Sequence, residues 1–143
     1  MTTRKRSKES IEEREDEIKS EVRAYFSIIP HVVDDLPLSV FAYRLYGHIV
    51  RRAGEHGVCF ESVRNMAEHC MVSIGTIVRA KKELDKAGLI RIKSVQGQNG
   101  RFSHDEITLV DIMPSNVEFY SNRTPEERSQ MIEYWKEISK EQP

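Results

Sequence analysis

No apolar run in the 143 residues approaches the roughly 18 consecutive residues that a membrane-spanning helix needs, so no membrane partner is expected. The basic start, Met1-Thr-Thr-Arg-Lys-Arg-Ser-Lys8, is not followed by an apolar stretch with a small-residue cleavage site. It is therefore no secretory signal, and the expected place is the cytoplasm. Two cysteines are too few for a disulfide framework. Cys59 and Cys70 sit among apolar neighbours and read as reduced, buried thiols acting as small hydrophobes. A zinc site shared with His56 and His69 lacks the close paired spacing of structural zinc sites. There is also no glycine-rich phosphate loop, no His-Glu-x-x-His and no Gly-x-Ser-x-Gly elbow. The five histidines, His31, His48, His56, His69 and His104, are scattered along the chain without a paired carboxylate pattern. These absences argue against an enzyme, and neither a cofactor nor a metal is expected.

The formal net charge of −1 conceals an uneven distribution. Residues 36–104 carry eleven Lys/Arg against five Asp/Glu. Residues 9–23 carry three basic and seven acidic side chains, and residues 105–143 carry four and nine. A basic middle between acidic ends points to a polyanionic partner for the middle.

The chain divides into three parts. Residues 1–30 read as a basic arm and an amphipathic helix. Ser10 and Glu13 form a capping box, and Ile11, Ile18, Val22 and Tyr25 share one face up to about Ser27. Residues 31–112 carry the main domain. Ile28–Val33 is expected to be an extended or turn segment, and Asp34–Ser39 a connector. Ser39 caps a helix to about Ala53, closed by Gly54 and Gly57. Val58–Phe60 is a short strand. Ser62 caps a helix to Cys70, Met71–Ser73 is a tight turn, and a longer helix runs from Ile74 to about Ala87 with Gly88 as its stop. Leu89–Val95 alternates apolar and basic residues in strand fashion. Gln96–Gly100 is a turn, and Glu106–Ile112 is the returning strand. Residues 113–143 form a linker, broken by Pro114 and Asn116, and a last helix. That helix starts with Thr124, Pro125 and Glu127 and shows Met131, Trp135 and Ile138 on one face.

Helix, short strand, helix, tight turn, helix and hairpin is the order of a winged helix-turn-helix. The expected fold class is mainly α with a small β-hairpin wing (α+β), flanked by terminal helices. Two short helices crossing steeply need a small residue at the crossing, which Ala67 supplies. Met66, Cys70, Val72, Ile77 and Ala80 supply their shared core, and Leu84, Leu89 and Ile90 continue it into the wing. Met66-Ala67, Met71-Val72-Ser73, Thr76-Ile77, Arg79, Leu84 and Gly88-Leu89-Ile90 resemble the bacterial and phage winged helix-turn-helix pattern Leu-Ala-x-x-x-Gly-Val-Ser-x-x-Thr-Val-x-Arg-x-x-x-x-Leu-x-x-x-Gly-Leu-Ile. Tyr25–Pro30, Asp34–Ser39 and Tyr46 look like the lead-in of such domains in phage and plasmid replication initiators (replisome organisers) and related regulators. The resemblance covers about residues 25–112. One departure is Met71, which stands where the pattern has the turn glycine; a non-glycine with positive φ keeps such a turn at the cost of strain.

The resemblance implies binding of double-stranded DNA, with the helix after the turn in the major groove. The positions it exposes to bases are Ile74, Gly75, Val78, Arg79 and Lys82. Ser73, Thr76 and the helix-end N–H groups suit phosphate. Arg79 suits a guanine edge, and Ile74 and Val78 suit thymine methyl groups or a protein partner. Lys81, Lys82, Lys86 and Lys93 suit phosphate attraction, and Arg101 suits a contact from the wing tip. An Arg79–Glu83 pair at i,i+4 is the competing use of Arg79, and Arg91 reads as an outward strand residue. The short stretch after the wing favours a transcription regulator or accessory factor of a phage, plasmid or mobile element. The alternatives are a replication initiator and a protein–protein adaptor that does not touch DNA. A homodimer through the terminal helices would lengthen the site, and a replication or transcription protein is a further expected partner.

Overall fold

The computed structural model describes residues 10–14, 25–95 and 104–141. Residues 10–14 are helical, as the capping box predicts, and Tyr25 is the last helical residue before an irregular stretch to Pro30. The domain then runs α1 (His31–Asp35), α2 (Val40–Ala53), a 3-10 turn (Gly54–His56), β1 (Val58–Cys59), α3 (Val63–Cys70), α4 (Ile74–Lys86), β2 (Ile90–Val95), β3 (His104–Leu109), α5 (Met113–Ser121) and α6 (Pro125–Glu141). With its small antiparallel sheet this is an α+β winged helix-turn-helix.

Each of the three central helices starts on a serine whose hydroxyl accepts a first-turn N–H otherwise without a partner. Ser39 accepts from Ala42, Ser62 from Asn65 and Ser73 from Thr76, all at 3.1 Å. Apolar residues at steps of three and four then face one core. They are Ala42, Leu45, Tyr46 and Ile49 of α2, Met66, Ala67 and Cys70 of α3, and Ile77, Ala80 and Leu84 of α4. Cys59 and Cys70 are buried free thiols within it.

Helices α3 and α4 end alike. After α3 the Val72 N–H donates to Ala67 O (3.1 Å) and the Met71 N–H to Glu68 O (3.3 Å). After α4 the Leu89 N–H donates to Leu84 O (3.1 Å) and the Gly88 N–H to Asp85 O (3.0 Å). Both are Schellman closures around one left-handed residue, Gly88 at φ 77° and Met71 at φ 60°. Glycine adopts this conformation freely. Methionine does so against its Cβ, as the sequence departure anticipated.

The sheet order is β1-β3-β2, with Cys59 and Ile92 both opposite Ile107 and Ile90 opposite Leu109. Alternation along β2 turns Ile90, Ile92 and Ser94 to the helices and Arg91 and Lys93 to the other side.

Three sequence expectations need correction. The segment expected to be extended contains α1, because Pro30 at φ −60° is already set for a helix start and Val32 and Val33 are drawn into the core. Strand β3 spans 104–109 rather than 106–112; beyond Leu109 the chain leaves the ladder, the Val110 N–H donating to Leu89 O. Pro114 and Asn116 do not break the chain. Pro114 lies in the first turn of α5, where a missing N–H costs nothing. Asn116 accepts the Val32 N–H at 3.0 Å and ties α5 to α1. Phe119 of α5 is buried and stacks on Trp135 of α6 at 5.3 Å. Helix α6 begins on the predicted box: Thr124 Oγ1 accepts the Glu127 N–H and donates to its carboxylate, both at 3.2 Å.

Met71 is 89% exposed, so its side chain contributes little packing while its backbone is strained. Met71→Gly is expected to stabilise the fold by about 1 kcal/mol, the left-handed penalty relieved less the extra chain entropy of glycine. Chemical denaturation would show this as a raised midpoint at constant slope. A lowered midpoint would mean that the methionine side chain holds the turn.

Candidate nucleic-acid interface

Helix α4 turns about 100° per residue. With Ile77, Ala80 and Leu84 buried, the opposite side carries Gly75, Arg79, Lys82 and Lys86, all exposed. Ile74 and Val78 flank this strip and are 50% and 39% exposed. The inner face is held by α2, α3 and β2.

The first turn of α4 is organised by hydroxyl groups. Ser73 Oγ accepts the Thr76 N–H and lies 2.8 Å from Thr76 Oγ1. Arg79 Nη2 donates to Thr76 Oγ1 at 3.4 Å. Arg79 Nη1 also lies 3.6 Å from where a Cβ on Gly75 would stand, so the guanidinium folds back over the helix start. The N–H groups of Ile74 and Gly75 belong to the turn that has no intrahelical acceptors. A guanidinium, two hydroxyls and helix-initial N–H groups thus converge on one exposed end.

Glu83 does not pair with Arg79. Its carboxylate accepts both the Ser39 backbone N–H and the Ser39 hydroxyl, each at 2.7 Å, and so staples α4 to the start of α2. Among the described residues Arg79 makes no ion pair. Glu83 is forty-four residues from Ser39, a link that local sequence patterns cannot reveal.

Lys81 corrects the expectation of a phosphate contact. It is only 5% exposed, and its ammonium donates to Asp105 at 2.7 Å. Asp105 also accepts from the Ser94 hydroxyl at 3.3 Å. The Lys81 hydrogen bond holds the Asp105 carboxyl below its ordinary range, against the opposing pull of burial. The signal was present in the sequence, since Lys81 lies four residues after Ile77 and three before Leu84, on the buried stripe.

Lys93 is exposed but lies on the sheet face away from α4, opposite Glu106 in the ladder. It is not brought together with the α4 strip. Arg101 lies outside the described residues.

Two of the histidines are not scattered in space. The His48 ring is buried, and its Nε2 donates to Glu61 at 2.6 Å. His69 of α3 stacks on His48 with centroids 4.2 Å apart. The charge of His48 is the largest cause lowering the His69 pKa, with burial and Arg44, Arg51 and Arg52 adding to it. The cluster joins α2 to α3 on the side that carries Arg52, whose Nε is 3.7 Å from Glu61.

Residues 38–90 match the family model of a helix-turn-helix domain, from two residues before α2 to the first residue of β2. No curated protein matches the sequence. Among the described residues no helix is long and apolar enough to cross a membrane.

Because the folded-state pKa of Asp105 is depressed, its pairing with Lys81 adds stability above the ordinary carboxylate range. That contribution is lost as pH falls from about 4 through the lowered value. Asp105→Asn leaves the Lys81 charge buried without its counter-ion and should cost about 2 kcal/mol at pH 7. Melting curves between pH 7 and pH 3 should converge for the two proteins at the acid end. A constant gap would show that the pair does not titrate with the fold.

Proposed function

We propose that this protein binds double-stranded DNA by placing the N-terminal half of α4 in the major groove. The observation that carries the reading is the outward strip Gly75, Arg79, Lys82 and Lys86, all exposed on the side of α4 opposite its buried stripe. The match of residues 38–90 to a helix-turn-helix domain supports it. Ser73, Thr76 and the Ile74 and Gly75 N–H groups take a phosphate at the helix start. Arg79 unfolds from Thr76 to a base edge, with two donors matched to guanine. Ile74 and Val78 lie against thymine methyl groups, and Lys82 and Lys86 take flanking phosphates. Lys93 and Arg101 add wing contacts in this reading, Lys93 weakly because Glu106 stands opposite it in the ladder.

Transcription control and replication initiation, in a phage, plasmid or other mobile element, would use the same contact, and a regulator or accessory factor is the role we assign. Pairing of two copies would double the site. Part of the apolar face of α6, including Met131, Ile132 and Trp135, is packed on the chain's own core, which leaves Tyr134 and the exposed Ile11 as terminal-helix surface for a second copy.

A second reading, a protein adaptor, draws on the exposed apolar side chains Met71 of the turn and Ile74 and Val78 of α4. The two readings separate on salt. With four to five phosphate contacts, retention on duplex DNA should fall roughly a hundredfold or more between 50 and 200 mM salt. On a selected site Arg79→Ala should lose about 10- to 100-fold in affinity with an unchanged melting temperature. Lys82→Ala should weaken all sequences alike and lower the salt slope by about one. Unchanged affinity in Arg79→Ala would remove that residue from base recognition. Absence of retention at low salt would favour the adaptor.

A further inference from the structure

The chain enters the domain across the outer side of α2. Ile29 Cδ1 lies 3.7 Å from where a Cβ on Gly47 would stand, so the segment crosses the helix where it carries no side chain. Tyr43 lies one turn before Gly47 on that side of α2, and Val40 two turns before. Ile29 packs inward on the core, while its exposed neighbours Phe26 and Ile28 face solvent. Tyr25, Phe26, Ile28, Val40 and Tyr43 thus make one apolar surface, from 38% exposed at Tyr43 to 80% at Tyr25. At about 150–250 Å² for a whole aromatic side chain, they offer roughly 600 Å². A patch of that size marks a docking surface, and it approaches the roughly 800 Å² a side of a standard protein interface. Charged groups frame it. Arg44 and Arg51 stand exposed one turn either side of Gly47. The segment that leads into Tyr25, residues 9–23, carries seven acidic side chains against three basic.

We infer that this surface is the contact of a symmetric dimer, with Phe26, Ile28, Val40 and Tyr43 of two copies packed on each other. The charges favour a second copy over an unrelated apolar partner. Two-fold symmetry makes each contact twice, so the acidic segment of each copy meets the Arg44 and Arg51 side of the other. The contact also dictates where the α4 strips go. Helices α2 and α4 pack directly on each other through their buried faces, so their exposed strips lie on opposite sides of the domain. Two copies joined through the outer side of α2 stand back to back, with their α4 strips facing apart. Such a dimer holds two duplex segments together rather than reading adjoining half-sites. This bridging half rests on the DNA-binding reading; the dimer contact does not.

Sedimentation of the full chain should show a monomer–dimer equilibrium with a midpoint on the order of 1–10 μM. Val40 is the first residue of α2, where an acidic side chain favours the helix. Val40→Asp therefore keeps the fold and should weaken the dimer at least about tenfold. Ile28→Asp, outside any helix, should do the same. Arg44→Glu should weaken it too, as should raised salt for the unaltered protein. Tyr134→Asp, on α6, should leave the dimer intact. A chain that stays monomeric overturns the proposal, as does a dimer that Val40→Asp and Ile28→Asp leave unchanged or that Tyr134→Asp dissolves. On DNA, a duplex fixed to beads should capture a second, labelled duplex through the unaltered protein. Val40→Asp should be retained on the fixed duplex without capturing the second. If the dimer forms but no form retains DNA, the contact stands and the DNA reading falls. If the dimer is retained on DNA and captures no second duplex, the back-to-back arrangement falls.

Discussion

The inward face of α4, with Ile77, Ala80 and Leu84 buried against α2, α3 and β2, fixes which residues of that helix meet solvent. Full burial of a leucine such as Leu84 contributes about 1.5–3 kcal/mol. Rotation of α4 by one residue would exchange Ile77, Ala80 and Leu84 for Thr76, Arg79 and Glu83, or for Val78, Lys81 and Asp85, at a cost no surface contact could offset. Two polar anchors add direction to this packing. Glu83 reaches Ser39 at one side of α4, and Lys81 reaches Asp105 at the other. The first ties α4 to α2 and the second ties it to the wing. The cations that remain outward are the ones that neither anchor uses.

The same economy governs the turn. Two short helices meet closely because Ala67 is small and buried at their crossing and because one left-handed residue reverses the chain between them. That residue is Met71, and the Val72 N–H bond to Ala67 O holds the turn. The strain is tolerated because the packing of Met66, Cys70 and Ile77 on either side outweighs it.

The segments flanking the domain are joined to each other as well as to it. Asn116 caps the start of α1, the Tyr120 hydroxyl donates to Asp35, and Phe119 stacks on Trp135. Burial, reinforced by the Asp35 hydrogen bond, pushes the Tyr120 hydroxyl up to about 12, so it remains a donor at any physiological pH. This clasp places the far half of α6 beside the C-terminal half of α4. The acidic C-terminal region and the basic strip of α4 are thereby neighbours in space although forty residues separate them in the chain.

Local chemistry alone set the element order of the central domain, the three serine caps, the stop at Gly88 and the strained turn at Met71, because each depends on residues within one or two helical turns. The buried stripe of α4 was legible for the same reason, and it contained Lys81, whose charge drew attention away from its position. Tertiary structure decided what no spacing could: Asp105 as the partner of Lys81, Ser39 as the partner of Glu83, and His48 and His69 in one stack. It also made α1 and α5 helices where Pro30, Pro114 and Asn116 suggested breaks. Proline only excludes a helix interior, and whether it starts a helix depends on what the following turn can bury. For Val32, Val33 and Phe119 that burial lies in other elements of the fold, beyond the reach of any local pattern.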